Sequence, residues 1–329
     1  MVIAFVIAVS PLGVFALEYP TASVVVDGVE LVFDQPAIIV NSRTMVPLRK
    51  IFEALGAHVT WDGDSQTVVA KKGATTISLQ IGSNRVYKVT PDGADYFDVD
   101  VSAMLLNSRT LVPVRAISEA LDAVVGWNGE TSTVTVESAR KDIHDMYLPD
   151  ESNTAQYSVL VGYPQIDGYD AANAKIKAAF ESLYETERSK KETESKTDLD
   201  GSLLYGWMFM PHNYEALTEV TYVGDGKICL LTHISDFSGG VRTNTSRKAF
   251  LFDATTGDSI EIDSALKAQA LALFEKMINA NPENFNADAL KTLNEDVING
   301  YIAEGGYVFF INPDVIAPYA AGSFEVTVE

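Results

Sequence analysis

Asn41-Ser-Arg-Thr-Met-Val-Pro-Leu-Arg49 returns 66 residues later as Asn107-Ser-Arg-Thr-Leu-Val-Pro-Val-Arg115. The match runs on through Glu53-Ala-Leu55 with Glu119-Ala-Leu121 and through Trp61 with Trp127, which marks a duplicated structural unit. In each copy a short strand leads to Pro47 or Pro113, a residue suited to a first helical turn because it has no N–H to leave unpaired. Leu48–Leu55 and Val114–Leu121 then read as amphipathic helices, the first ending at Gly56. A hairpin closes each copy. In the first it runs Val59–Trp61, a turn at Asp62-Gly63, and Thr67–Lys71; in the second Val124–Trp127, a turn at Asn128-Gly129, and Thr133–Glu137. Between the copies, Thr75–Ile81 and Arg85–Val89 read as further strands.

Upstream, residues 1–16 are apolar, broken by Pro11 and Gly13, with Val14 and Ala16 at the −3 and −1 positions of a cleavage site. The segment reads as a secretory signal lacking a basic start; an uncleaved membrane anchor is the alternative, although a run this short is marginal for spanning. Downstream, residues 139–155 are polar and aperiodic and read as a linker. A new pattern starts at Gln156: a strand Tyr157–Tyr163, a turn through Gly168, and a helix Ala171–Lys190 whose continuation SKKETESKTD reads as a solvated charge run. Strands are predicted at Leu203–Pro211, Tyr214–Val223, Lys227–Ser235 and Arg247–Asp253. Helices follow at about 263–280 and 286–299, and the chain closes with strands Tyr307–Asn312 and Phe324–Val328. The whole reads as α+β: a duplicated strand-helix-hairpin domain over 22–138, then a second domain over 156–329 with helices on one face of an antiparallel sheet.

Charge is uneven. Residues 17–140 carry 10 Lys+Arg and 15 Asp+Glu, residues 141–329 carry 14 and 30, and the whole chain stands at −21. That surface repels nucleic-acid phosphates and attracts basic partners. Cys229, the single cysteine, excludes an intrachain disulfide and sits in an apolar run as an inert thiol. The histidines His58, His144, His212 and His233 show no metal-ligand spacing, and no metal or cofactor is expected. His233 alternates with Leu231 and Ser235 as a sheet residue; Asp236 is placed to orient it, yet no serine or cysteine completes a triad. Gly239-Gly240 lacks the lysine and helix of a phosphate loop.

Residues 22–138 resemble the copper amine oxidase N-terminal-like stalk domain of secreted Firmicutes proteins, through the N-x-R-T-x-V-P-x-R box, the helix and the W-(D/N)-G hairpin. The resemblance implies no copper chemistry: the oxidase's redox site lies in another domain, and this chain lacks a His-x-His pair and a match to the cofactor motif. Arg43, Arg49, Arg109 and Arg115 are expected to bond loop carbonyls and carboxylates, with Pro47, Pro113, Trp61 and Trp127 as structural motif residues. In the second half three pieces stand out: Tyr-Pro-Gln-Ile-Asp-Gly168 before the Asn173 helix; Asp236-Phe-Ser-Gly239-Gly240 with Asp253 and Gly257; and Tyr307 through Gly322. Together they resemble the extracellular domains of unknown function shared by RsiV-type anti-sigma factors, where the region is a lysozyme-binding sensor, and PdaC-type peptidoglycan deacetylases. No sigma-binding segment precedes the hydrophobic stretch, no deacetylase domain follows, and Gly239-Gly-Val-Arg242 replaces the family's Gly-Gly-Ala-His.

The expectation is therefore an exported, non-catalytic protein of the cell envelope. Its distal domain would bind a basic lysozyme-like protein or a peptidoglycan fragment through residues such as His233, Asp236, Phe237, Arg242 and Tyr319, with Trp207, Phe209 and Tyr214 as further aromatic candidates. Two alternatives stay open. A carbohydrate-binding wall module would need an exposed aromatic platform in a groove, and a hydrolase would need His233 and a carboxylate converging in a pocket.

Overall fold

The repeated box folds as a strand hairpin whose two-residue turn is its own Asn-Ser pair. β1 (Thr21–Val26) and the short β2 (Val29–Glu30) precede β3 (Ala37–Val40), which turns into β4 (Arg43–Pro47). Asn41 and Ser42 both hold positive φ, 49° and 63°, as do Asn107 and Ser108 in the second copy. Positive φ at both central residues defines the turn whose twist matches a right-handed hairpin, and Asn adopts it more readily than most residues. This computed structural model describes residues 19–91, 93–148, 154–206 and 208–328; the expected signal segment 1–16 and Trp207 lie outside the described residues.

From β4 the chain enters α1 (Leu48–Ala54), then β5 (His58–Asp62), β6 (Thr67–Lys72), β7 (Thr75–Gln80), β8 (Arg85–Thr90) and β9 (Gly93–Asp98), which form one antiparallel five-stranded sheet in chain order. The second copy repeats the series as β10 (Met104–Leu106), β11 (Arg109–Pro113), α2 (Val114–Ala120), β12 (Val124–Asn128) and β13 (Thr133–Glu137). Its hairpin goes elsewhere, to pair β13 parallel with β1 in a sheet ordered β10-β11-β4-β3-β1-β13-β12. Within that sheet β4 and β11 pair antiparallel, with Val46 opposite Val112 and Met45 opposite Pro113. Val46 and Val112 are each other's counterparts in the repeat, so the two copies meet about an internal pseudo-two-fold axis. Their side chains enter the main core with Ile51, Phe52 and Ile117, while Met45 and Leu111 point to a smaller cluster on the opposite face.

The second domain starts earlier than the sequence indicates. Residues 143–148, expected within a linker, form β14 (Ile143–Leu148), antiparallel to β15 (Tyr157–Ile166). Asp145 occupies an inward position on it and masks the alternation that would have marked a strand. The long α3 (Asp170–Tyr205) then crosses over to β16 (His212–Gly224), which runs parallel to β15. β17 (Lys227–Phe237) and β18 (Asn244–Asp253) extend the sheet antiparallel, giving β14-β15-β16-β17-β18. The sheet is thus mixed, with α3 supplying the long crossover that a parallel neighbour requires. α4 (Ser264–Ala280), the single turn α5 (Ala289–Thr292), and β19 (Asn299–Ala303), β20 (Gly306–Ile311) and β21 (Phe324–Val328) complete the domain as a three-stranded sheet with its own core around Phe274 and Phe309. The helix expected over 286–299 shrinks to α5. Asn294 bonds the Thr292 carbonyl and the Asp296 N–H, offering the backbone a turn in place of a helix. Among the described residues no strand forms over Leu203–Pro211: α3 runs on to Tyr205 and ends at Gly206, whose φ is 75°.

Two asparagines act as extra backbone. Asn173 accepts from the Ile166 N–H at 2.9 Å and donates to the Ile166 carbonyl at 2.7 Å, fixing α3 to the end of β15. Asn312 does the same for Arg247, at 2.8 and 2.9 Å, and so ties the closing motif to β18. Cys229 is buried, its Sγ accepting the Ile302 N–H at 3.3 Å, and burial raises its thiol pKa.

Candidate functional site

The inward row of α3 changes chemistry along its length. Ala172, Ile176, Phe180 and Tyr184 recur every four residues and pack on the sheet; beyond them the buried positions are Lys191, Ser195 and Ser202. The charge run read as solvated therefore carries a wholly buried cation, 0% exposed at Lys191. It is buried because the last residues of β17 bend over the helix. The Lys191 ammonium donates to Asp236 Oδ1 and Ser238 Oγ in short contacts and to Glu194 Oε2 at 3.1 Å. The Ser238 hydroxyl also lies 3.0 Å from Glu194. Burial pushes the Asp236 carboxyl up, but the hydrogen bond and charge of Lys191, with Lys190 and Ser238, outweigh it and hold the group below the usual carboxylate range.

One turn further along α3, Asp198 Oδ2 lies 2.9 Å from Nε2 of buried His212, the first residue of β16. The Gly239 turn closes over this pair. Its φ is 75°, and a Cβ there would lie 2.6 Å from Asp198 Oδ2 and 3.1 Å from His212 Nε2. The double-glycine motif thus works at its first residue, through both conformation and close approach; Gly240 has open space around it. Among the residues proposed from sequence, Asp236 belongs to this cluster, and Phe237 ends β17 opposite Asn213. Lys191, Glu194, Asp198 and His212 were missed. The only signal for the three on α3 was the position of the charge run, in phase with the apolar stripe before it; His212 carried none.

His233 does not meet Asp236. Three residues apart on a strand, they point to opposite faces of the sheet. His233 bonds Glu219 instead, at 2.9 Å, and lines an open cleft of about 540 Å³ between the two domains with Glu215, Arg247 and Glu325. The ionic groups there partner one another: Lys71 pairs with Glu215, and Arg247 with Glu325. Beside the cleft, β14 seals the junction. Tyr147 donates to the Lys71 carbonyl at 2.8 Å and lies 3.1 Å from the Gly56 carbonyl. Burial lifts the Asp145 carboxyl from 3.8 to about 6, against the opposing charges of Lys72 and His144.

Arg242 and Tyr319 do come together. The guanidinium carbon lies 4.0 Å over the Tyr319 ring, Arg242 pairs with Asp314 at 3.2 Å, and the Tyr319 hydroxyl holds the Thr243 carbonyl and the Thr245 N–H. The loop after Gly240 is thus fastened to the closing motif near Gly322. At this end of the sheet α3 terminates, and it leaves Leu203, Leu204, Tyr205, Met208 and Met210 exposed, 79% at Leu203 and 87% at Met208, with Val241 fully exposed on the loop beyond Gly239.

In the first domain the box arginines pair across the pseudo-two-fold axis. Arg109 holds Asp34 at 2.6 Å, and Arg43 makes the matching short pair with Asp100, the counterpart of Asp34. Arg49 lies 3.8 Å from Glu53 and 3.4 Å from the Val59 carbonyl; Arg115 lies 4.0 Å from Glu119. Pro47 and Pro113 are the last strand residues before α1 and α2, with φ of −56° and −63°. Trp61 and Trp127 stand on the outer hairpins, 45% and 46% exposed. Asp253 accepts the N–H groups of Thr255 and Thr256, which shapes the turn to Gly257.

Comparison with known proteins matches residues 25–136 to the copper amine oxidase N-terminal domain and residues 256–329 to a protein family of unknown function, DUF3298. A curated protein described as a protease inhibitor, from Brevibacillus choshinensis, is 31% identical over 99 residues, 30% of this chain and 29% of that protein. The chain thus spans less than a third of that relative's length. Among solved structures, a DUF3298 family member from Bacteroides fragilis aligns with a TM-score of 0.39 and 13% identity over 56% of this chain and 89% of that one. A DUF3298 protein from Pseudomonas aeruginosa aligns at 0.38 and 14% over 56% and 87%. The chain carries a copper amine oxidase N-terminal domain followed by a C-terminal DUF3298 domain.

Proposed function

We propose that the protein is a non-catalytic binding protein of the cell envelope, exported from the cell, whose distal domain engages a basic extracellular protein of lysozyme type. The observation that carries this reading is the exposed apolar strip at the tip of α3, formed by Leu203, Leu204, Tyr205, Met208 and Met210 with Val241. The strip is set on a rigid base by the Lys191, Asp236 and Glu194 cluster and the Asp198–His212 pair. Apolar anchors on an ordered support are what a protein interface needs, and the charge of −16 over residues 141–329 speeds encounter with a basic partner. The mutual pairing of the ionic groups in the His233 cleft favours an interdomain seam over a hydrolytic site. The relative described as a protease inhibitor fits a protein that works by occupying another protein. No helix among the described residues is long and apolar enough to cross a membrane.

The test is binding of the full chain to hen-type lysozyme at about 50 and about 300 mM salt, alongside a Leu203→Asp/Met208→Asp variant. The expected result is binding that survives the higher salt and weakens by about tenfold or more in the variant. Binding that disappears with salt, or that the variant leaves unchanged, removes the tip from the argument.

A further inference from the structure

The first domain holds two grooves that the distal tip does not explain. One, of about 750 Å³, is lined by Asp34, Arg49, Glu53, Trp61 and Arg109 among others; its twin, of about 630 Å³, has Asp100, Arg115, Glu119, Trp127 and Arg43 in the same places. All sixteen residues lining one groove are the repeat counterparts of the sixteen lining the other, and ten of the sixteen pairs are identical. Each groove is composite, taking its Trp hairpin, helix and second box arginine from one copy and its first box arginine from the other.

The divergence between the copies shows where the restraint lies. Fully buried Phe52 has become Ser118 in the second copy, whereas the Trp, both Arg, the Glu and the Asp of each groove are unchanged although they stand largely in solvent. Packing does not require a half-exposed indole at the same point twice. In each copy the indole nitrogen lies along the following turn, 3.5 Å from where a Cβ of Gly63 or Gly129 would be, so the ring is held against its hairpin with much of its surface in solvent.

The chemistry selects the ligand. With Lys50 the first groove carries three cations and two carboxylates; with Asp98 the second carries two cations and three carboxylates. Neither has the excess positive charge that would hold a phosphate polymer. A flat apolar face beside balanced donors and acceptors suits a ligand with one apolar face and a rim of hydroxyls, which is a pyranose ring. We propose that the two grooves bind segments of an uncharged polysaccharide, a hexose or N-acetylhexosamine chain, with a sugar ring stacked on Trp61 or Trp127 and its hydroxyls bonded by the Arg49–Glu53 or Arg115–Glu119 pair. Two equivalent sites on one domain raise the effective concentration of a long chain at the second site once the first is filled. This inference rests on the first domain alone and is independent of the distal tip.

The experiment is calorimetric titration of the full chain with the hexamers of β-1,4-linked N-acetylglucosamine and of β-1,4-linked glucose, with inorganic polyphosphate as the charged arm, and co-sedimentation with insoluble chitin and cellulose. Binding of one hexamer or both at two sites per chain is expected, falling to one site in Trp61→Ala and to none in Trp61→Ala/Trp127→Ala. Retention on the matching polymer is expected to drop at least tenfold when either Trp is lost. The Arg49→Ala/Arg115→Ala variant, which leaves the indoles and the core in place, is expected to weaken both sites at unchanged stoichiometry and decides the matter should the Trp variants unfold. Absence of saccharide binding in the parent chain overturns the proposal. So does binding that persists in the folded double Trp variant, or in the double Arg variant at full strength, or a preference for polyphosphate.

Discussion

Asp145→Asn is the sharpest probe of the junction between the domains. Asp145 sits on β14 where that strand meets the Gly56 loop: a Cβ on Gly56 would lie 3.7 Å from Asp145 Oδ2, and no hydrogen bond reaches the carboxyl among the described residues. Burial raises its pKa from 3.8 to about 6, with Lys72 and His144 facing it. Between those values the folded chain keeps a proton that the unfolded chain has lost. The unfolded state then binds fewer protons, and stability falls as pH rises from about 4 to about 6 and is level above. At about 1.4 kcal/mol per tenfold, the gap amounts to about 3 kcal/mol of stability withheld at neutral pH. Asparagine keeps the shape and removes the titration; its amide carries a burial cost of its own that does not vary with pH. The assay is urea unfolding of parent and variant, followed by circular dichroism from about pH 4.5 to about 7.5. The stability difference between them should move in the variant's favour by about 2 kcal/mol across that range, the remainder of the gap lying below about pH 4.5. A difference that stays constant with pH, within about 0.5 kcal/mol, would refute the placement of Asp145 in a dehydrated seam.

Three glycine variants separate conformation from contact. Gly257→Ala should cost about 3 kcal/mol or more in urea unfolding, because φ is 73° and its Cβ would lie 2.7 Å from the Ala171 carbonyl and 2.8 Å from Ala172 Cα, both α3 backbone. Gly239→Ala should cost about 1–2 kcal/mol, since the atoms it meets are side-chain tips, and Gly240→Ala should be neutral in the same assay. Ser118→Ala should stabilise the first domain by about 1–2 kcal/mol, because the wholly buried Ser118 Oγ has no hydrogen-bond partner among the described residues and alanine is the better helix former. A lower thermal midpoint for Ser118→Ala would mean that the hydroxyl has a partner.

The strip at the α3 tip illustrates how an exposed apolar surface hides in a sequence. Leu203–Pro211 reads as a strand because its apolar density matches one, and a density of apolar residues does not say whether they are covered. The buried Lys191 hides for the opposite reason: a lysine inside a run of charges reads as solvent-facing until a strand end 45 residues later lies across it. His233 and Asp236 are close in sequence and were read together, yet the alternation of a strand sends them to opposite sides.

What the sequence determined by itself is the set of local choices: the repeat, the Pro-led helices, the W-(D/N)-G hairpins, the turn at Asp253 to Gly257 and the α+β class. Each rests on backbone sterics, hydrophobic periodicity or turn chemistry acting within about ten residues. Only the tertiary structure decided the long-range pairings. These are the meeting of Val46 with Val112, the exchange of Arg43 and Arg109 between copies, the capture of residues 143–148 by the distal sheet, and the burial of Lys191 under the end of β17. The two grooves belong with them, since each is assembled from residues of both copies and exists only once β4 and β11 have paired about their shared axis. A repeat announces that two units are alike; the hydrogen bonds and packing formed when they meet decide what lies between them.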